Sequence, residues 1–237
     1  MTKQPRSIRA VPKIVITLLV LSLFLQIAWH VHLPPPRVQI EKLTEPPQLE
    51  LLRVFSFGDS VVSAKLLMLW LQAFESQQGQ FLSYKQLNYS LLQHWLERIL
   101  QIDPHSQYPL LAASHLYSMV PDTGKQRLML DFVYQQFFID PAKRWRWLAH
   151  AAVLAKHRLD DLPLALKYAK ALTAHATPEM PRWAQEMQIF ILEDMGELER
   201  ARLVIGGMLA SGELTDPNEI KFLNDKLLAL EKHSKQK

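Results

Sequence analysis

RWLAHAAVLAKHRLDDLPLALKYAKAL, residues 146–172, can be laid over RWAQEMQIFILEDMGELERARLVIGGM, residues 182–208, at a shift of 36. Arg146 falls on Arg182, Trp147 on Trp183, Leu162 on Leu198 and Ala165 on Ala201. Between these identities apolar residues match, Val153 with Ile189 and Ala169 with Ile205. Each copy reads as helix, short acidic turn, helix. A hairpin of that kind leaves one apolar face bare, and only the next hairpin covers it. The pattern therefore predicts a stack. Pro104, Pro141, Pro178 and Pro217 extend the period, at intervals of 37, 37 and 39. Asp103, Asp140 and Asp216 precede three of them. Each proline is expected to close a helix, because its ring excludes helical backbone before it.

Met195-Gly196-Glu197-Leu198-Glu199-Arg200-Ala201 and Ile99-Leu100-Gln101-Ile102-Asp103-Pro104 carry a resemblance to the tetratricopeptide repeat. The unit of that family is a helical hairpin of about 34 residues. The likeness spans residues 60–212 in four degenerate units, strongest over 142–212, with Gly79 to Asn88 lengthening a loop in the first. It implies an all-α, TPR-like helical-hairpin array (an α-solenoid). The layout resembles membrane-anchored repeat proteins of Gram-negative bacteria. Ala165, Ala169, Ala201, Gly206 and Gly207 are small enough to let helices approach closely. Residues 216–237 place Phe222, Leu223, Leu227 and Leu230 on one side, as the solvated capping helix of an array does.

Composition agrees with helices: nearly half the 237 residues are hydrophobic and only seven are Gly. There is no Cys, which rules out disulfides, thiolate metal sites and a cysteine nucleophile. The net charge of +4 belongs to one end. Lys3, Arg6, Arg9 and Lys13 lie in the first 13 residues, and the remaining basic residues equal the 23 acidic ones. A nucleic-acid partner is not expected, because no basic stripe exists on the body.

From Ile14 to Val31 the chain is apolar and lacks Asp, Glu, Lys and Arg. As a helix it measures about 27 Å, enough to cross a bilayer core. Trp29, His30 and His32 stand at its end, as headgroup-level rings do. Large residues from Gln26 to His32 disfavour signal cleavage. The four cations before the span predict a cytoplasmic N-terminus. The expected organisation is a cytoplasmic basic tail (1–13), a transmembrane signal anchor (14–32), a proline-rich spacer (33–54) and a repeat domain with capping helix (55–237). The anchor would sit in the inner membrane, with the repeats in the periplasm.

FSFGDSVVS, residues 55–63, resembles the first block of GDSL-type esterases, which implies Ser60 as a nucleophile. Such an enzyme needs a strand delivering the serine and an Asp-x-x-His pair to orient the base. No Asp in this chain is followed three residues later by His. Asp59 and Ser60 before an apolar periodic run read instead as a helix N-cap. HExxH, P-loop and dinucleotide motifs are missing, so neither enzymatic activity, cofactor nor metal is expected. His150 and His157, seven apart, share a helix face without a third ligand, and Asp160-Asp161 read as a turn. The first helix of each tetratricopeptide hairpin lines the concave side. Carried over by register, Trp147, His150, His157 and Arg158 face it in one unit, Trp183 and Glu186 in the next, and Tyr117 in the unit before. Trp, Tyr and Arg are interface anchors. The expected function is a non-catalytic envelope scaffold or adaptor binding a protein segment there, the alternative being a self-associating structural protein.

Overall fold

The computed structural model describes residues 12–32, 43–73, 76–77, 80–81, 86–212 and 214–234. The basic-tail residues 1–11 and spacer residues 33–42 lie outside them. The chain divides into two compact units, one holding α1 and one holding the body.

The first unit is built on α1 (Lys13–His32). Its apolar side chains from Ile14 to Val31 are exposed, and it is long and apolar enough to cross a membrane. Twenty residues give about 30 Å of helix, the thickness of a hydrocarbon core.

The described residues of the body are mainly helical, and two two-residue strands, β1 (Ser76–Gln77) and β2 (Gln80–Phe81), occur among them. It begins earlier than the proline content suggests. Leu43 is buried in its core, and the Thr44 carbonyl accepts a 2.7 Å hydrogen bond from Trp95 Nε1. Helix α2 (Leu49–Phe55) takes up residues 49–54, which the sequence reading assigns to the spacer. Pro46 and Pro47 precede that helix and so interrupt none of its hydrogen bonds. A turn follows in which Phe57 and Gly58 are left-handed (φ 48° and 85°). Asp59 then accepts 2.9 Å from the Val62 N–H and caps α3 (Ser60–Ala73). Ser60 thus opens a helix that follows a helix, and no strand delivers it.

Next come α4 (Tyr89–Ile102), a short α5 (Tyr108–Leu111), a π-helical turn (Ala112–Leu116) and a 3₁₀ turn (Tyr117–Met119). The chain continues as α6 (Thr123–Phe137), α7 (Pro141–His157), α8 (Leu162–Ala174), α9 (Arg182–Asp194), α10 (Leu198–Ala210) and α11 (Pro217–Ser234). From α6 onward each helix packs against its neighbours in sequence, and α7 also touches α9.

The internal repeat is visible in the backbone. Asp160 and Gly196, which the shift of 36 superposes, are both left-handed (φ 51° and 73°) and reverse the chain between α7 and α8 and between α9 and α10. Ala165 and Ala201, one turn into the second helix of each pair, are wholly buried, as are Ala169 and Ile205. The prolines act differently from the expectation. Pro104 follows the end of α4, but Pro141 and Pro217 open α7 and α11. Proline has no N–H to leave unpaired in a first turn. The aspartates before them act as caps: Asp140 accepts from the Lys143 N–H and Asp216 from the Asn218 N–H.

Candidate partner-binding face

The sequence reading assembles seven residues on one face. The structure brings three of them together. Trp147 and His150, one turn apart on α7, and Arg158 at its C-terminal end all meet residues 107–119. Trp147 Nε1 donates to Gln107 Oε1 at 2.7 Å, and its ring stands edge-on to His115 at 5.9 Å. His150 stacks on His115 with centroids 3.8 Å apart and planes 12° from parallel. Arg158 Nη2 donates to the Met119 carbonyl at 2.7 Å. These side chains join α7 to the segment before it as much as they offer a surface.

His115 was not foreseen. The π-helical turn holds it, and that extra residue per turn changes the face each later side chain takes. The same shift explains Tyr117, which the array register places in the groove. Its side chain is 0% exposed, its ring lies edge-on to Tyr89, and its carbonyl accepts from the Tyr89 hydroxyl at 3.0 Å. Tyr117 is core. His150 shares its environment with His115. Among the described residues no three His, Cys, Asp or Glu groups converge as a ligand set. Burial lowers the pKa of both His115 and His150, and for His150 the neighbouring His115 lowers it further against a hydrogen bond with the Ser114 backbone.

On α9 the matching surface is occupied. Glu186 is buried, and burial followed by the nearby Glu219 raises its pKa, while Arg182 opposes the rise. Three side chains of α9 meet α11: Arg182 pairs with Glu219 at 3.6 Å, Glu193 with Lys226 at 2.8 Å, and the Phe190 ring lies 6.5 Å from Phe222. Trp183 remains about half exposed, with its ring 5.7 Å from Trp145. Glu186 therefore faces the end of the array and offers no contact surface.

One repeat earlier the counterparts are Arg146, Leu154 and His157. Arg146 and His157 are exposed. The contrast is sharpest at the superposed pair Val153 and Ile189, which are 40% and 1% exposed. The contacts of α9 with α7 fall elsewhere, at Trp145 and at the Lys156–Asp194 ion pair. The open strip of α7 (Lys143, Arg146, Val153 and His157, with His150 half-buried beside it) contains no acidic residue between Asp140 and Asp160. It is apolar at its centre and basic at its margins.

A separate cleft of about 400 Å³ opens beside the α8–α9 turn, lined by Ala176, Thr177, Pro178, Met180, Arg182 and Gln185. Two of its polar side chains serve the fold: Gln185 Nε2 donates to the Met180 carbonyl, and Arg182 Nη1 to Gln185 Oε1. Neither family models, nor curated proteins, nor solved structures give a match to this chain.

Proposed function

We propose that this chain is a membrane-anchored, non-catalytic scaffold of the bacterial envelope whose tetratricopeptide-like array binds a segment of a partner protein across α7. The anchor is α1, in the inner membrane, with the N-terminus cytoplasmic and the array periplasmic. The observation that carries the reading is the open face of α7 around Val153. On α9 the equivalent face receives a helix, α11, through two ion pairs and a ring contact. That intramolecular contact supports a helical segment as the kind of object the α7 face takes. On α7 the flanking groups are basic, so the segment that docks there is helical and acidic, with an apolar residue over Val153.

The test is site-specific photocrosslinking in native membranes from Arg146, Val153 and His157. Leu203, an exposed residue of α10, serves as the control position. A recurrent adduct from the α7 positions and not from Leu203 supports the scaffold and identifies its partner. Adducts no richer than at Leu203 reject it, and adducts of the chain with itself establish self-association instead.

A further inference from the structure

The outer face of α2 and α3 is an exposed apolar surface. On α3 the exposed positions are 61, 62, 65, 66, 69, 70 and 73, one stripe at helical spacing. They are Val61, Val62, Lys65, Leu66, Leu69, Trp70 and Ala73, with one charge among seven. Before them Leu51, Val54 and Phe55 of α2 are also exposed. Phe57 stands at the elbow between the helices with 93% of its surface bare, on a left-handed backbone that sterically favours glycine. A surface helix ordinarily carries charge on that side.

The opposite face of α3 is committed to the body. Ala64, Met68 and Leu71 are buried and Tyr108 donates to Gln72 at 2.8 Å, while Trp70, at the edge of the outer stripe, also packs on Trp95 at 4.6 Å. The two helices together are apolar enough for a membrane span, yet they meet at 109° and α3 has only 14 residues. Fourteen residues reach about 21 Å, short of a hydrocarbon core of about 30 Å. At that bend α3 by itself falls short of a span, and the pair has the composition to lie in the interface.

Covalent connection supplies the occupant. Sixteen residues separate His32, at the end of α1, from Leu49, at the start of α2. Fully extended, they reach at most about 60 Å. If α1 spans the membrane, its lipid–water interface is therefore permanently within range of the elbow, at the high effective concentration that a tether provides. No partner protein has that advantage. We propose that α2 and α3 lie in the lipid–water interface of the membrane that α1 spans, with Phe57 and the Val62–Leu66–Leu69 stripe among the acyl chains. Trp70 and Lys65 suit such a site: an indole prefers the headgroup level, and a lysine stem lies in apolar surroundings while its ammonium reaches water. Arg53 faces the anionic headgroups, and Glu50 and Asp59 lie on the same segment, Asp59 engaged as the α3 cap. This proposal rests on α1 as the anchor and is independent of any partner at α7.

The sequence has no cysteine, so single-cysteine variants report unambiguously. Spin labels are attached at Phe57→Cys, Leu66→Cys, Leu19→Cys and Leu203→Cys in the full chain. The labelled chains are reconstituted into vesicles of phosphatidylethanolamine and phosphatidylglycerol, with helix content checked by circular dichroism. Collision with oxygen, which partitions into lipid, is compared with collision with a water-soluble nickel chelate. At Phe57 and Leu66 oxygen is expected to dominate, and at Leu203 the chelate. Chelate dominance at both elbow positions overturns the proposal. So does spin–spin broadening at Phe57 that vanishes on dilution with unlabelled chain, which would place a second copy on this face. The Leu19 label separates the two readings. Lipid at Leu19 with water at Phe57 and Leu66 refutes the elbow alone, whereas water at Leu19 refutes the anchor.

Discussion

Arg144 offers the sharpest test of the packing that places α7. It lies one turn into α7 and is almost fully buried. Its Nη1 donates to the Gln136 carbonyl at 2.8 Å and to Gln136 Oε1 at 3.0 Å, and its Nη2 donates to the Pro104 carbonyl at 2.8 Å. One guanidinium therefore holds the last turn of α6, the loop after α4 and α7 itself. The Gln136 carbonyl belongs to a helix C-terminus, where a cation also meets the negative end of the dipole. Burial lowers the Arg144 pKa, and Asp140 only partly offsets it, so the charge is held at a cost. Hydrogen bonds to a charged group are worth about 1.5–3 kcal/mol each, and breaking a buried charged network costs about 3–5 kcal/mol. Because Pro104 is exposed and water can replace its donor, the lower part of that range applies. We expect Arg144→Ala to cost about 3 kcal/mol. In a chain of this size that lowers the melting temperature by about 6–12 °C. Lysine keeps the charge but not the fork, so Arg144→Lys should recover less than half of the loss. The assay is thermal unfolding of the full chain in detergent, followed by circular dichroism. A loss below about 1 kcal/mol for Arg144→Ala, or full rescue by lysine, would refute the argument, since either falls outside what a forked, buried guanidinium contributes.

Asp59→Ala should destabilise by about 1 kcal/mol through the lost cap, while Ser60→Ala stays within about 0.5 kcal/mol. The same melts decide it, and the reverse order would return attention to Ser60. Acidification should loosen the α7 contact with residues 107–119. His115 and His150 have folded pKa values below their unfolded ones, so the unfolded chain binds more protons. Their contribution is complete above pH of about 6.5 and is lost as pH falls below it. His150→Gln should flatten that part of a stability profile measured from pH 7.5 to 5, and an unchanged slope would show that the stacked pair does not titrate. Leu223→Ala should cost about 2–5 kcal/mol, because Leu223 is wholly buried between α11 and the array. Hydrogen exchange would then show α9 and α10 losing protection along with α11, and unchanged protection there would mean that α11 supports nothing beneath it.

The elements differ in how far local chemistry decides them. The two hairpins 141–174 and 182–210 are legible because apolar period, turn residues and small packing residues agree at each level. Asp59 is legible as a cap because it satisfies an N–H within three residues of itself, whereas Asp140 and Asp161, read from sequence as a helix end and a turn, also prove to be caps. The helix α2 was hidden by the prolines before it, whose influence stops at the residue preceding each one. The candidate site was only half legible. Trp147, His150 and Arg158 are engaged with Gln107, His115 and Met119, which lie on a segment whose π and 3₁₀ turns break the helical phase.

From the sequence alone follow the apolar span, the helical class of the body and the equivalence of its two best hairpins, because each rests on contacts near in the chain or on composition. Tertiary packing alone decided which faces stay open. Val153 and Ile189 are equivalent in sequence pattern, yet one meets solvent and the other is buried. Glu186 was expected in a groove and lies buried at the end of the array, where α11 meets α9. The outer stripe of α3 reads locally like any buried helix, and only the position of α4 on one side of it shows that the other side is uncovered. Exposure is a property of what the rest of the chain leaves unfilled, and periodicity carries no record of that.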